Sequence, residues 1–226
     1  MKWFRNWPGT VQKHFKLGIV AVLGVSAGVV ASIVALTGVS SQTQPGRDAI
    51  QELTRGDTGV VAVVNGQAIP ASKLRAYQIF APDFSGQSAR LTAREYVDML
   101  VDNELLYQEA ARRGLVPDQD EVLETARSYR EALSEGMSQD TGETRQIREY
   151  FAQIEGTEYH LDAFDTSPVM LDGFRRQIAV GKLRLSLMEA MDPGDRNDLA
   201  KREEVVRGLV KQLRAASTIE IYPLPQ

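Results

Sequence analysis

The sequence contains no cysteine, which excludes disulfides, thiolate metal sites, thiol nucleophiles and a lipidated cysteine. It has two histidines, and both tryptophans, Trp3 and Trp7, lie close to the N-terminus. No aspartate or glutamate precedes Asp48. With all 30 acidic residues and 22 of the 26 basic ones, the chain after Gly46 carries a net charge of −8. A negative domain of this kind disfavours nucleic acid as a partner, because phosphate binding needs concentrated positive charge.

One long segment has no charge at all. Residues 17–39 are 23 uncharged and mostly apolar positions, which as a helix would span roughly 34 Å, enough for a hydrocarbon core of ~30 Å. The residues before it, 1–16, contain four basic side chains and several aromatics. Because basic flanks stay on the cytoplasmic side, this pattern predicts a single-pass protein of the cell (inner or plasma) membrane with an extracytoplasmic domain.

Two alternatives concern this segment. A cleaved signal peptide would have an apolar region of about 7–15 residues, shorter than this one, although Ser40 and Ser41 leave cleavage conceivable. Gly24 and Gly28 fit the small-xxx-small pattern of pairing membrane helices, which leaves a homodimer open. Ordinary membrane-helix composition explains the same glycines.

A polar linker over 40–58, punctuated by proline and glycine, leads to a domain over 59–226. The domain begins with a β-branched strand that meets Asn65-Gly66, a strong hairpin signal, and resumes at 67–69. The alternating residues 218–222 predict a final strand. Since an isolated strand cannot satisfy its backbone groups, we expect the final strand to pair with the first.

Between these strands the apolar spacing is helical. Thr92 and Asp118 are suited to begin helices, Gly114 to end one, and Ser167-Pro168 to begin another. The predicted fold is therefore mostly α: an N-terminal transmembrane helix and a helical domain closed by a small β pairing. The predicted helices cover residues 71–80, 93–113, 119–134, 144–155, 168–191 and 197–216.

Five blocks of the domain form a recognisable series, at 59–69, 100–115, 116–122, 170–183 and 210–222. They include Val-Val-Asn-Gly before a helix, and a long helix with the Leu105-Leu106 pair and terminal Gly114. In this order they resemble the SurA N-terminal-type domain of periplasmic chaperones, which also occurs in PpiD- and PrsA-like foldases. Pro70 departs from the Thr or Ser that often caps the first helix there.

The resemblance implies a SurA N-terminal-like fold and chaperone activity. This chain also differs from those foldases, because they carry a parvulin-type prolyl isomerase module where this chain has only the turn near 192–195. No parvulin His-Ile-Leu or Gly-Gly-Asp-Leu-Gly signature is present. The implied activity is chaperoning without isomerisation, with a peptidyl-prolyl isomerase in family name only as an alternative.

The residues give no sign of an enzyme, a cofactor or a metal site. His160 is the domain's single histidine and is expected to be solvated, since a zinc site needs about three or four ligands. Asp98, Asp102 and Glu109 on the long helix could suggest acid/base chemistry. They are expected instead to form a solvated face, on which Asp98 and Asp102, one helical turn apart, repel each other. Asp192 and Asp195 supply too few ligands for calcium, and no phosphate-binding loop or dinucleotide fingerprint is present.

A chaperone that only holds its clients needs adaptable apolar surface, for which Met, Tyr and Phe are well suited. We therefore predict a membrane-anchored holdase that binds unfolded or nascent secreted and envelope polypeptides. A structural or assembly subunit with one fixed envelope partner, or a second copy, is the alternative. Burial in the core is the competing interpretation for each candidate. The candidate client-binding residues are Tyr77, Ile79, Phe80, Phe84, Met99, Tyr107, Met137, Tyr150 and Phe151.

Overall fold

A computed structural model describes residues 59–84, 91–138 and 142–223 of the chain. The predicted basic N-terminus at 1–16, membrane helix at 17–39 and linker at 40–58 lie outside the described residues. Among the described residues, no helix combines the length and the apolar character needed to cross a bilayer. The described part is mostly helical, as predicted, with one small sheet. Its elements are the strands β1 (Val60–Val64), β2 (Gln67–Pro70) and β3 (Ile219–Ile221), and the helices α1 (Ala71–Phe84), α2 (Ala93–Arg112), α3 (Gln119–Ser138), α4 (Gly142–Gln153), α5 (Pro168–Glu189) and α6 (Leu199–Ala216), with a 3-10 turn at Leu161–Ala163.

The sheet has the order β2-β1-β3, with both neighbouring pairs antiparallel. Asn65 and Gly66 have φ angles of 51° and 84°, the positive values that a tight hairpin between β1 and β2 requires. On the other side of β1, Val63 lies opposite Glu220. The predicted pairing of the first and last strands is thereby confirmed.

The ends of the long helix α2 follow the predicted sequence signals. Thr92 and Glu95 form a reciprocal capping box in which the Thr92 Oγ accepts from the Glu95 N–H at 3.3 Å. At the other end Gly114 has a φ of 70°, and Leu115 donates to the Ala110 carbonyl at 2.9 Å. These contacts satisfy carbonyls that have no partner inside the helix.

Several helix ends differ from the predictions. α1 continues to Phe84, passing Pro82, rather than ending at residue 80. α3 continues to Ser138 rather than 134, passing through Gly136. α4 and α5 end about two residues early, and α6 begins at Leu199 because Asp198, rather than an earlier residue, caps it. A proline or glycine near a helix end weakens the helix without deciding where it stops.

Within the described residues three apolar clusters form the core, and α2 and α5 connect them. The sheet cluster packs β1 and β2 against α1 and α2, the aromatic cluster joins α3, α4 and α5, and the hairpin cluster lies among α2, α5 and α6. The sheet cluster is Val61, Ala62, Val64, Ile69, Ala71, Leu74, Tyr96, Val97, Leu100, Val101 and Leu105; the aromatic cluster is Val122, Ala126, Phe151, Ile154, Tyr159, Leu161, Phe164, Met170 and Phe174; the hairpin cluster is Leu106, Ala110, Ala179, Leu183 and Val206.

Candidate functional site

The predicted client-binding residues are spread over all three clusters. Tyr77 and Met99 pack partly buried against the sheet cluster, and Tyr107 packs against the hairpin cluster. Met137 borders the aromatic cluster, in which Phe151 is buried. The structure therefore places Tyr77 and Met99 against the sheet cluster, and Met137 and Phe151 at the aromatic cluster, so the two pairs lie in different parts of the core. Ile79, Phe80 and Phe84 lie on α1 and Tyr150 on α4; their side chains fall outside what the structure describes.

Phe151 is an integral part of the aromatic cluster. Its ring lies 6.2 Å from that of Phe164, which in turn contacts Phe174 at 5.9 Å. Such tilted and edge contacts are the preferred arrangement of buried aromatic rings. Only 3% of Phe151 is exposed, so a client could reach it only after α4 has moved.

Tyr107 lies beneath a cation. The Arg176 guanidinium carbon is 4.3 Å from the centre of the Tyr107 ring, and its Nη1 donates to Glu104 Oε2 at 2.8 Å. The Arg176 Nε also donates to Asp172 Oδ2 at 3.0 Å. Arg176 thus joins α5 to α2 through one buried carboxylate and one ring face.

Lys73 on α1 lies beside this ion cluster. Burial, reinforced by the nearby positive charge of Arg176 and opposed by Glu104 and Asp172, lowers the pKa of Lys73 to about 8. Two cations and two carboxylates therefore offset one another where α1, α2 and α5 meet. This balance is typical of a structural ion cluster and supplies no excess charge for a ligand.

A polar chain connects Glu104 to the edge of the sheet. Gln108 Nε2 donates to Glu104 Oε1 at 3.0 Å and to the Val64 carbonyl at 3.1 Å. Asn65 Nδ2 donates to Gln108 Oε1 at 2.8 Å, and Asn65 Oδ1 accepts from the Thr218 N–H at 2.9 Å. Asn65 therefore fixes the hairpin turn, α2 and the start of β3 relative to one another.

Exposed apolar surface lies on the helical hairpin that α5 and α6 form. Leu185 on α5 is 52% exposed and Leu199, the first residue of α6, is 67% exposed. Near the turn is a shallow cavity of about 440 Å³. Of its lining residues Met191 and Val205 are apolar, and the others are Asp192, Asp195, Lys201 and Glu204. Leu185 and Leu199 were not among the predicted residues, because their helical spacing did not distinguish them from core positions.

Asp98 and Asp102 do not form the solvated, repelling face that their spacing predicts, and Glu109, expected on the same face, is only 5% exposed. Arg214 of α6 lies between them: its Nε donates to Asp102 Oδ1 at 2.5 Å and its Nη1 to Asp98 Oδ1 at 3.1 Å. The Arg214 Nη2 also donates to the Asp98 carbonyl at 2.9 Å. The two carboxylates therefore hold α6 against α2, so the prediction was wrong for a specific reason: a cation from a distant helix neutralises their repulsion.

His160 is less solvated than expected. Its side chain is 19% exposed, and its ring stands nearly perpendicular to that of Phe151 at 5.8 Å. The His160 Nδ1 accepts from the Asp162 N–H at 3.3 Å and begins the 3-10 turn. In the part of the chain that the structure describes, no three His, Asp or Glu side chains come together as metal ligands.

No protein-family model, no curated protein and no solved structure matches this chain. The resemblance to SurA N-terminal-type domains therefore stays a prediction from the five sequence blocks.

Proposed function

We propose that this protein is a membrane-anchored extracytoplasmic chaperone that holds non-native secreted or envelope polypeptides and has no prolyl isomerase module of its own. The observation that carries the proposal is the return of β3 to β1 after a series of helices. The resemblance to SurA N-terminal-type domains implies the same return of a final strand to the beginning of the domain. The anchor at 17–39 is part of the proposal, since a tether would raise the local concentration of the domain where clients emerge.

The α5–α6 turn supports the absence of an isomerase module. Only residues 190–198 separate the two helices, and hydrogen bonds within this segment hold it, including Asp195 N–H to the Asp192 carbonyl at 2.9 Å. Arg196 Nη2 donates back to the Glu189 carbonyl at 2.7 Å at the end of α5. A turn of this size leaves no space for a catalytic domain between the helices.

The exposed leucines of the α5–α6 hairpin support a holding function. Isolated apolar side chains are common on protein surfaces, but Leu185 and Leu199 lie on the same hairpin as the Met191 cavity. Apolar surface of this kind, with a methionine and charged neighbours, can contact many unfolded sequences without selecting one.

The experiment is aggregation suppression by the full chain in lipid nanodiscs, with empty nanodiscs as the control. Stoichiometric suppression of light scattering is expected for several unrelated unfolded proteins. Leu199→Ser should weaken it, whereas Ala200→Ser at the adjacent exposed position should not. Failure with every general client, together with tight binding of one envelope protein, would instead indicate the assembly subunit. Catalysed cis/trans exchange of a proline peptide would contradict the absence of enzyme activity.

A further inference from the structure

β3 is one of the two edge strands of the sheet, and its backbone groups alternate between two directions. Asn65 N–H donates to the Thr218 carbonyl at 2.8 Å, and Tyr222 N–H donates to the Val61 carbonyl at 3.0 Å. The backbone N–H and C=O groups of Thr218, Glu220 and Tyr222 therefore face β1. In an antiparallel ladder the intervening residues point away, so the N–H and C=O groups of Ile219 and Ile221 point outward.

The residues along β3 are exposed or only partly buried. Val64 and Ala62 of the central strand, which lie opposite Ile219 and Ile221, are fully buried, whereas the two isoleucines are only partly buried. Within 59–84, 91–138 and 142–223 no hydrogen bond joins the outward groups of these isoleucines to another residue. β3 thus presents two donors and two acceptors in the geometry of a sheet that lacks its next strand.

The opposite edge of the sheet is less suitable. In β2 the register places Gln67 and Ile69 opposite Val64 and Ala62, whose backbone groups point toward β2. Only Ala68 then directs its N–H and C=O outward, and the strand ends at Pro70, which has no N–H.

The side chains of β3 specify a partner. Glu220 is exposed at the centre of the strand and accepts a hydrogen bond from the Tyr222 hydroxyl at 2.9 Å. Ile219 and Ile221 point to the opposite face and pack against the sheet cluster. A residue placed beside Glu220 on an added strand would be a close cross-strand neighbour, so a basic residue is favoured there and an acidic one disfavoured. Its two flanking residues would extend the apolar face.

We propose that the outer edge of β3 binds an extended segment of a non-native polypeptide by strand addition, with a basic residue beside Glu220 and apolar residues on either side. The proposal deepens the holdase function and rests on it for the class of partner. Main-chain hydrogen bonding tolerates varied sequences, as a chaperone requires, while Glu220 supplies a preference among them. Pro223, which follows Tyr222, limits the added strand to a few residues.

Hydrogen exchange of single amides tests the geometry directly. The full chain in nanodiscs is mixed with a peptide whose core is Thr-Val-Lys-Val-Thr. We expect the amides of Ile219 and Ile221 to exchange quickly without peptide and to become protected with it. The amide of Tyr222, already bonded to Val61, is the internal control and should change little.

Modified peptides and charge variants test the recognition. N-methylation at the residues that donate to β3 should weaken binding about tenfold, whereas methylation at the alternate residues should not. The peptide with Lys at its centre should bind about fivefold more tightly than the one with Glu. Glu220→Lys should reverse this preference, and Glu203→Lys, the same charge change on exposed α6, should leave it unchanged.

The outcomes separate the two proposals. If the chain suppresses aggregation but its Ile219 and Ile221 amides gain no protection, strand addition is wrong and the holdase remains. If the peptides bind in register without any suppression, the edge site remains and the holdase is wrong. Protection of both amides without peptide, in a chain that sediments as a dimer, would show that a second copy occupies the edge and would overturn the proposal.

Discussion

Replacing Glu109 with glutamine measures how strongly one buried carboxylate stabilises the C-terminal end of α2. Only 5% of its side chain is exposed, yet it accepts from Arg112 Nε at 2.6 Å, Arg112 Nη2 at 2.7 Å and Arg113 Nε at 2.7 Å. The hydrogen bonds from Arg112, with help from Arg113 and against the effect of burial, lower the pKa of Glu109 to about 2.

This difference in pKa gives both the size and the pH dependence of the effect. The usual value of 4.5 and the folded value of about 2 differ by an amount that corresponds to about 3 kcal/mol of stability at neutral pH. Because the folded pKa is the lower one, the contribution is complete above 4.5 and is lost as the pH falls toward 2. At about pH 3.5 it has decreased to about 2 kcal/mol.

Chemical denaturation of the full chain, followed by far-UV circular dichroism, provides the assay, since no tryptophan lies within 59–226 to report unfolding. Glu109→Gln should lower the free energy of unfolding by about 3 kcal/mol at pH 7. At pH 3.5 the difference between wild type and variant should be smaller by about 1 kcal/mol. Glu124→Gln, an exposed glutamate on α3, is the matched control. The explanation is wrong if the difference in unfolding free energy between wild type and Glu109→Gln does not change with pH, or if it equals the difference for Glu124→Gln.

Three further changes test the joins between elements, each by urea denaturation. Asn65→Ala should cost about 2 kcal/mol because alanine disfavours a φ of 51° and loses the side-chain bonds, whereas Asn65→Gly should recover about half. Arg176→Met should cost about 3 kcal/mol by leaving Glu104 buried without its cation. Adding Glu104→Leu should bring stability back to within about 1 kcal/mol of wild type; no recovery would mean the pair is strongly favourable. Gly114→Ala should cost about 1 kcal/mol from its φ of 70° alone, since nothing lies within 4 Å of the added methyl; a larger loss would reveal a clash.

The local signals of the sequence predicted much of the fold. Asn65-Gly66, the Thr92 cap and Gly114 each dictate backbone geometry through their own chemistry, so their effects can be read without knowing the rest of the chain. The pairing of β1 with β3 was also predictable, because the final strand had no neighbouring strand in the sequence and needed a partner. The predicted helix ends near Pro82 and Gly136 were wrong by a few residues, since tertiary packing can extend a helix through a weak position.

The site was harder to predict than the fold. Asp98 and Asp102 could not be assigned to Arg214 from spacing, because the cation lies 112 residues beyond Asp102. Phe151 and Tyr107 had the right composition for client contact, yet whether an aromatic is covered depends on helices that are distant in sequence. Leu199 follows the helical pattern of its neighbours, and only the end of the α5–α6 hairpin leaves it uncovered.

The closing of the sheet also sets an order of events during synthesis. β1 and β2 can pair as soon as their hairpin has emerged, but Thr218, which bonds to Asn65, follows 153 residues later. Until then one side of β1 has unpaired backbone groups, and Arg214 has not yet reached Asp98 and Asp102. During synthesis from the N-terminus the sheet therefore lacks β3 for most of the time. It is complete only when the last strand is free to pair with β1. A truncation that removes β3 should consequently destabilise both β1 and the packing of α6 against α2.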